Sequence, residues 1–482
     1  MKITFINTIP TRSPYLGLAY IITAVEKAGH KPNLIDLTFI FGNRLAYIID
    51  EIKKQAPDII GVSAITPYYE KSIDIVKKVK EKFPHLLVIL GGIHPTIFPE
   101  EVISNSFVDM ICIGEGEQAL PELLDKLEKS QTPNVDGVWF KSNGKIIKNR
   151  LRPYNQDLDS LPFPNWDYWE IEKYFKLESL PDSLPILASR GCVFDCTFCS
   201  NKVFKEIGLG NYYRIRTPEN IIGEIKNNID KYIKRGLHNF SFYDDCFGLN
   251  RKQFDVFTEL YMQEKIKYQA HWMCRTRADI ITERWVQKAK AAGCVFVIMG
   301  LENSNEDIRM NRFKKNIPNS RFQSTAEILK RYNILHSINI MIGVPEDNRN
   351  TIKETVRFAN SLRPITIKPS LYIPLPKTEL EEFVRKKRLL REDRKKYCLP
   401  QIDTYYLKSE KLGREMQIVK IKTALLPFIV VFKKGGICLV MQVIIHFLFK
   451  KDYWIILFRY HICPFTILIE RFLIEKITRT TD

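Results

Sequence analysis

The chain has 482 residues, ten cysteines and a formal charge of +18, and its length suffices for two or three domains with cores of their own. A disulfide scaffold is not expected: MKITFINTIP runs straight into a strand with no leader ahead of it. Cys112, Cys246, Cys274, Cys294, Cys398, Cys438 and Cys463 are scattered in mostly apolar runs, as small buried hydrophobes of a reducing cytosol are. The charge is uneven, with 21 Lys/Arg against 11 Asp/Glu in residues 381–482, and there it brackets hydrophobic stretches, so nucleic acid is not an expected partner.

Residues 1–140 alternate short apolar strands (KITFINT, KPNLIDL, DIIGVSA, LLVILGG, MICIGEG, DGVWFK) with amphipathic helical patterns (LAYIITAVEKAG, SIDIVKKVKEKF, QALPELLDKLEK). That alternation predicts a doubly wound, Rossmann-like parallel sheet with a ligand outside the carboxyl ends of its strands. Small-residue turns fall at those ends: Pro14–Gly17, Ser63–Pro67 with Thr66, Gly91-Gly92-Ile93-His94-Pro95-Thr96, and Gly114-Glu115-Gly116-Glu117. Residues 141–180 read as a linker, charged and proline-bearing, with the aromatic run PFPNWDYW covering a domain seam.

Residues 181–385 alternate again: PILASR, NFSFYDD, AHWMCRT, FVIMGLE, SINIMIG and KPSLYIP with helices between them. Six such units predict a partial (β/α)6 barrel with its chemistry at the carboxyl ends of the strands. At those ends stand Tyr243-Asp244-Asp245, Arg275 and Arg277, Glu302-Asn303-Ser304, and Gly343 to Glu346. After the first strand comes Cys192-x-x-x-Cys196-x-x-Cys199. Three thiolates on one short loop can bind three irons of a 4Fe–4S cube and leave the fourth iron without a protein ligand, whereas electron-transfer cubes carry four cysteines. In NYYRIRTPEN, Thr217 and Pro218 read as the cap and first residue of a helix.

The cysteine spacing resembles that of the radical S-adenosylmethionine (SAM) superfamily, and residues 1 to about 385 resemble its cobalamin-binding-domain branch. The resemblance implies that Cys192, Cys196 and Cys199 ligate the cluster. It implies that SAM chelates the open iron and is cleaved to a 5′-deoxyadenosyl radical that abstracts hydrogen from an unactivated carbon. It assigns Asp244 and Asp245 to the methionyl amine, and Arg275 and Arg277 to the SAM carboxylate or a substrate anion. Glu302, with Ser304 beside it, falls to the ribose, and Ile340 to Val344, with Gly343, to the adenine. It places cobalamin against Ser63, Thr66, Gly91, Gly92, His94, Gly114 and Gly116. The chain departs from the family phrases at Asn303 and Asn305 and at Glu346-Asp347, and it lacks the Asp-x-His-x-x-Gly loop whose histidine ligates cobalt.

The tail from 386 to 482 is basic and apolar by turns, and no run reaches the ~20 uninterrupted apolar residues of a spanning helix. Lys433-Lys434 and Lys450-Lys451 between aromatic-bearing runs predict helices lying on the inner face of the cell membrane. A helical domain packed on the barrel and a re-entrant hairpin are the alternatives. The expected function is cobalamin-dependent methyl transfer to a hydrophobic or lipid-like substrate in the cytoplasm, fed by a reducing electron donor protein. The alternatives are radical cyclisation, oxidation or carbon–carbon coupling without cobalamin, and a non-catalytic iron–sulfur binding or sensing protein at a membrane.

Overall fold

A computed structural model describes residues 1–177 and 179–390. The membrane-interface expectation for the tail falls, but for its first few residues, outside the described residues. Among the described residues no helix is long and apolar enough to cross a membrane. Among the described residues the chain forms two compact units, the first built from Met1–Ile171 with Phe204–Arg214, the second from Glu172–Val203 and residues 215–390.

The first unit is a seven-stranded sheet in the order β2-β1-β3-β4-β5-β6-β7. Its strands are β1 (Lys2–Asn7), β2 (Lys31–Asp36), β3 (Ile59–Ser63), β4 (Leu87–Gly91), β5 (Met110–Cys112), β6 (Val138–Ser142) and β7 (Lys145–Lys148). The first five pair in parallel, while β6 and β7 form an antiparallel hairpin on the β5 edge. The crossovers are helical: α1 (Leu16–Lys27), α2 (Arg44–Gln55), α3 (Tyr69–Lys82), the short α4 (Ile93–Ile97) and α5 (Pro99–Ser104), and α6 (Gly116–Glu128). Every residue of β3 is buried, as a strand covered on both faces must be. α1 stops at Gly29, whose φ of +87° suits a glycine just past a helix end.

Next along the chain come α7 (Ile171–Phe175) and β8 (Ser183–Ile186), then a two-stranded pair, β9 (Ser189–Arg190) with β10 (Arg214–Ile215), and α8 (Asn201–Ile207) between them. Then come α9 (Pro218–Tyr232), β11 (Asn239–Phe242), α10 (Arg251–Gln263), β12 (His271–Thr276), α11 (Glu283–Ala291), β13 (Cys294–Glu302), α12 (Asn319–Arg331), β14 (Leu335–Ile342), α13 (Arg349–Ser361), β15 (Thr366–Leu371) and α14 (Glu379–Lys386). Six strands pair in parallel in the order β15-β14-β13-β12-β11-β8, the expected partial barrel. Thr217 caps α9 by accepting from the Asn220 backbone N–H at 3.3 Å, with Pro218 in the first helical position. Because every strand runs the same way, the residues after β8, β11, β12, β13 and β14 share one edge of the sheet.

Candidate functional site

The cysteine loop begins at Gly191, whose φ of +82° turns the chain sharply out of β9. Thr197, at its centre, is pinned from two directions. Its hydroxyl donates to the Arg312 carbonyl at 2.6 Å and its N–H to the Phe313 carbonyl at 3.1 Å, while its own carbonyl accepts from Leu380 N–H at 2.9 Å. Phe198 packs edge-on against Phe313 in a small core with Met341, Val344, Tyr372, Leu380 and Val384. The three cysteines are reduced and partly exposed. Burial raises all three thiols above the usual range, Cys199 to about 12, and Cys199 also feels the charge of both other sulfurs. Three soft donors so placed suit iron–sulfur ligation, since iron bound to a thiol displaces its proton.

The sulfurs do not gather as they would around one zinc, where Zn–S bonds of about 2.3 Å put them roughly 4 Å apart. Among the described residues the ligand trio found within 4.8 Å of one another is His30, Asp125 and Glu128 instead.

Asp244 and Asp245 separate in space. Asp244 is 1% exposed, and its two oxygens accept from Ser189 Oγ at 2.5 Å and from Ala188 N–H at 3.1 Å. It therefore braces the strand leading to the cysteine loop, and burial pushes its carboxyl up to about 6. Asp245 is exposed, hydrogen-bonded by Asn201, and close enough to Cys192 and Cys199 for its charge to act on both thiols. The arginines divide similarly. Arg277 is held in a fork by Asp279 at 3.0 and 2.8 Å, so its anion partner is already present. Arg275 lies 4.0 Å over the Tyr243 ring and pairs with no carboxylate among the described residues.

Glu302 ends β13 with a φ of +65°, which turns its side chain back over Gly300. A Cβ on residue 300 would collide with the Glu302 carboxylate. Glu302 Oε1 accepts from Lys315 Nζ at 3.0 Å, and Lys315, 5% exposed, also donates to the Gly300 carbonyl at 2.6 Å. Nothing in the sequence marks Lys315, which stands in an ordinary Lys-Lys-Asn run.

Asn303 and Asp347, both departures from the family phrases, meet each other: Asn303 Nδ2 donates to Asp347 Oδ1 at 3.0 Å. Asp347 also accepts from Gly343 N–H at 2.9 Å, Val344 N–H at 3.3 Å and Thr351 Oγ1 at 3.0 Å. Ser304 is locked behind this clamp, its hydroxyl 3.2 Å from Thr355 Oγ1. The two changes thus compensate by tying the turn after β13 to the turn after β14.

In the first unit the turns after β3, β4 and β5 are knitted into one edge. Ala64 N–H donates to Gly91 O at 2.8 Å, His94 N–H to Ala64 O at 3.0 Å, and Gly114 N–H to Thr96 Oγ1 at 3.0 Å. Gly92 has a φ of +95°, and a Cβ there would lie 2.9 Å from Ser63 Oγ and 3.0 Å from Ala64 O. Tyr15 hydrogen-bonds Ser63 from the turn after β1. His94 is 2% exposed, stacked on Tyr69 at 3.8 Å with Nδ1 3.3 Å from Thr66 Oγ1. Burial lowers its imidazole to about 4, so the ring is neutral, and Nε2 is buried without a partner. Ser63, Thr66, Gly91, Gly92, His94 and Gly114 are therefore brought together. Gly116 instead admits Ile21, 3.2 Å from where its Cβ would stand. Glu115 accepts from Arg214 Nη1 at 2.8 Å, and Arg214 stacks on Tyr154.

Residues 3–124 match the B12 binding domain model and residues 186–359 the radical SAM superfamily model. An uncharacterised methyltransferase of Pyrococcus horikoshii is 28% identical over 88% of this chain and 91% of its own length. The anaerobic magnesium-protoporphyrin IX monomethyl ester cyclase of Cereibacter sphaeroides is 27% identical over 77% of this chain but only 60% of its own length. The same fold recurs in TsrM, a radical SAM methyltransferase of Kitasatospora setae solved with cobalamin and a 4Fe–4S cluster. It shows a TM-score of 0.66 and 15% identity, covering 80% of this chain and 75% of that one.

Proposed function

This chain belongs to the cobalamin-binding-domain radical SAM enzymes, and on that premise we propose that it transfers a methyl group to an unactivated carbon of a hydrophobic substrate. Its cofactors are those of the family: a 4Fe–4S cluster, SAM and cobalamin. When bound, the cluster supplies the electron that splits SAM, SAM the power to abstract hydrogen, and cobalamin the methyl group. The protein positions these groups and excludes water.

Cys192, Cys196 and Cys199 hold the cluster, and Asp244 braces their loop. Asp245 takes the methionyl amine, since its exposed carboxylate stands beside the cluster thiols. Arg275, which pairs with no carboxylate among the described residues, takes the SAM carboxylate. Glu302 offers Oε2 to the ribose while Lys315 holds Oε1. Ile340 to Gly343 form the adenine wall, with Ser304 ordering it from behind. Ser63, Thr66, Gly91, Gly92 and Gly114 line the corrin edge, where missing side chains let backbone approach a flat ligand. His94 orders that edge through Thr66 and Tyr69.

One observation carries the reading: a three-cysteine loop at the carboxyl edge of a six-stranded parallel barrel, in one chain with a B12-binding sheet. A macrocyclic or lipid-like substrate is supported by the likeness to a porphyrin ester cyclase and by Val193, 46% exposed beside Cys192. That likeness also favours a second reading, radical cyclisation. Peripheral membrane attachment is supported by the basic excess of residues 381–482. Comparing liposome partition of the full chain with one ending at Leu412 tests it.

The test of function needs no substrate. Protein reconstituted anaerobically with iron and sulfide should hold about four irons, lost in Cys196→Ala. With hydroxocobalamin, reductant and SAM bearing a trideuterated methyl group, it should yield trideuteromethyl-cobalamin by mass spectrometry. Bound corrin that never acquires the label would rule out methyl transfer in favour of cyclisation.

A further inference from the structure

The charges around the cysteine loop are unevenly distributed. Arg277, 9% exposed, has Nη1 3.9 Å from Cys196 Sγ; its guanidinium lies 3.5 Å over the Phe194 ring, and its far side is fixed by Asp279. The ammonium of Lys315, clamped by the Gly300 carbonyl and Glu302, acts on that same sulfur from another loop. Among the described residues no cation acts comparably on Cys199, which feels the negative charge of Asp245. Cys196 therefore faces two largely desolvated cations, with the Glu302 carboxylate behind Lys315, while Cys192 feels both Arg277 and Asp245. Neither cation is free to leave, because each is tied by a counter-ion and a second contact.

We propose that Arg277 and Lys315 are positioning residues that set the reduction potential of the cluster by holding positive charge against the Cys196 ligand. This rests on the reading of the cysteines given above. Thiolate-ligated clusters carry net negative charge, and adding an electron makes them more negative. Nearby cations and hydrogen bonds to sulfur therefore favour the reduced form and raise the potential. In a largely desolvated site the effect is much stronger than at a wet surface. The device would ease the one-electron reduction that must precede SAM cleavage.

The experiment is a potentiometric titration, followed by electron paramagnetic resonance, of full-length reconstituted protein without SAM. Arg277→Gln and Lys315→Met should each lower the midpoint, making reduction about tenfold less favourable, which is ~59 mV for one electron. Asp279→Asn tests the sign: it keeps the cation and removes its counter-charge, so the midpoint should rise. Equal midpoints in all four proteins overturn the inference, as does a shift of Asp279→Asn in the same direction as Arg277→Gln. So does loss of the cluster from folded Arg277→Gln, because the arginine would then hold the cluster rather than tune it. Iron content separates the two readings: a wild-type chain without four irons defeats the cluster assignment itself, and this inference with it.

Discussion

Replacing Asp347 with alanine removes the acceptor for four donors at once: Asn303 Nδ2, Gly343 N–H, Val344 N–H and Thr351 Oγ1. Hydrogen bonds to a charged group contribute about 1.5–3 kcal/mol each, so the gross loss is on the order of 6–12 kcal/mol. Against it stands the cost of an enclosed carboxylate. Burial raises Asp347 from 3.8 to about 6, which at about 1.36 kcal/mol per pKa unit offsets ~3 kcal/mol at neutral pH. A net loss of about 3–9 kcal/mol should therefore fall on the turn after β14. The offset has a definite pH dependence. A carboxyl whose folded pKa is raised contributes stability in full below 3.8, and that contribution is lost as pH rises through about 6. The gap between wild type and Asp347→Ala should widen by about 1 kcal/mol on going from pH 7 to pH 5. Hydrogen exchange of the peptide spanning residues 340–350 measures this directly. At pH 7 the variant should exchange at least ~100-fold faster, after correction for intrinsic rates. Protection within threefold of wild type, or a gap that narrows at pH 5, would refute the clamp.

Other consequences can be checked singly. Asp245→Asn should keep its iron and weaken SAM binding about tenfold or more by calorimetry, whereas Asp244→Ala, which frees Ala188 N–H and Ser189, should lose iron from a loosened loop. Equal iron in both variants would contradict the division of labour. Gly92→Ala forces a Cβ against Ser63 Oγ and Ala64 O at a φ of +95°, so hydroxocobalamin binding should weaken at least tenfold with the cluster intact. Arg216→Met strands the fully buried Glu224, which Arg216 pairs while also donating to Leu187 O at 2.8 Å. That should cost about 3–5 kcal/mol in chemical denaturation, and Arg216→Met with Glu224→Leu should recover most of it. No recovery in the double variant would mean that the contact to Leu187, not the ion pair, is what matters.

Most of the architecture was legible in the linear chain because its signals are local. Apolar strands such as DIIGVSA and amphipathic helices at alternating spacing announce parallel sheets, and parallel sheets put their loops on one edge. The cysteine triad lies within eight residues, so its chemistry is written in spacing alone. The β6–β7 hairpin partly escaped, since its second strand, Lys145–Lys148, looks like part of a charged connector. The pairing of Asn303 with Asp347 was hidden too: each alone is a departure from a phrase, and only their contact shows that one answers the other.

What the sequence determined by itself, then, is the kind of protein: two α/β units, a cluster loop and a set of polar groups at strand ends. Tertiary structure decided how those polar groups divide their work. Asp244 and Asp245 are neighbours in the chain, yet one is sealed against Ser189 and the other is exposed. Lys315 is silent in sequence and becomes a buried partner of Glu302. The physical reason is that periodicity and spacing act over a few residues, while burial and charge pairing depend on which distant segments the fold brings within a few ångströms.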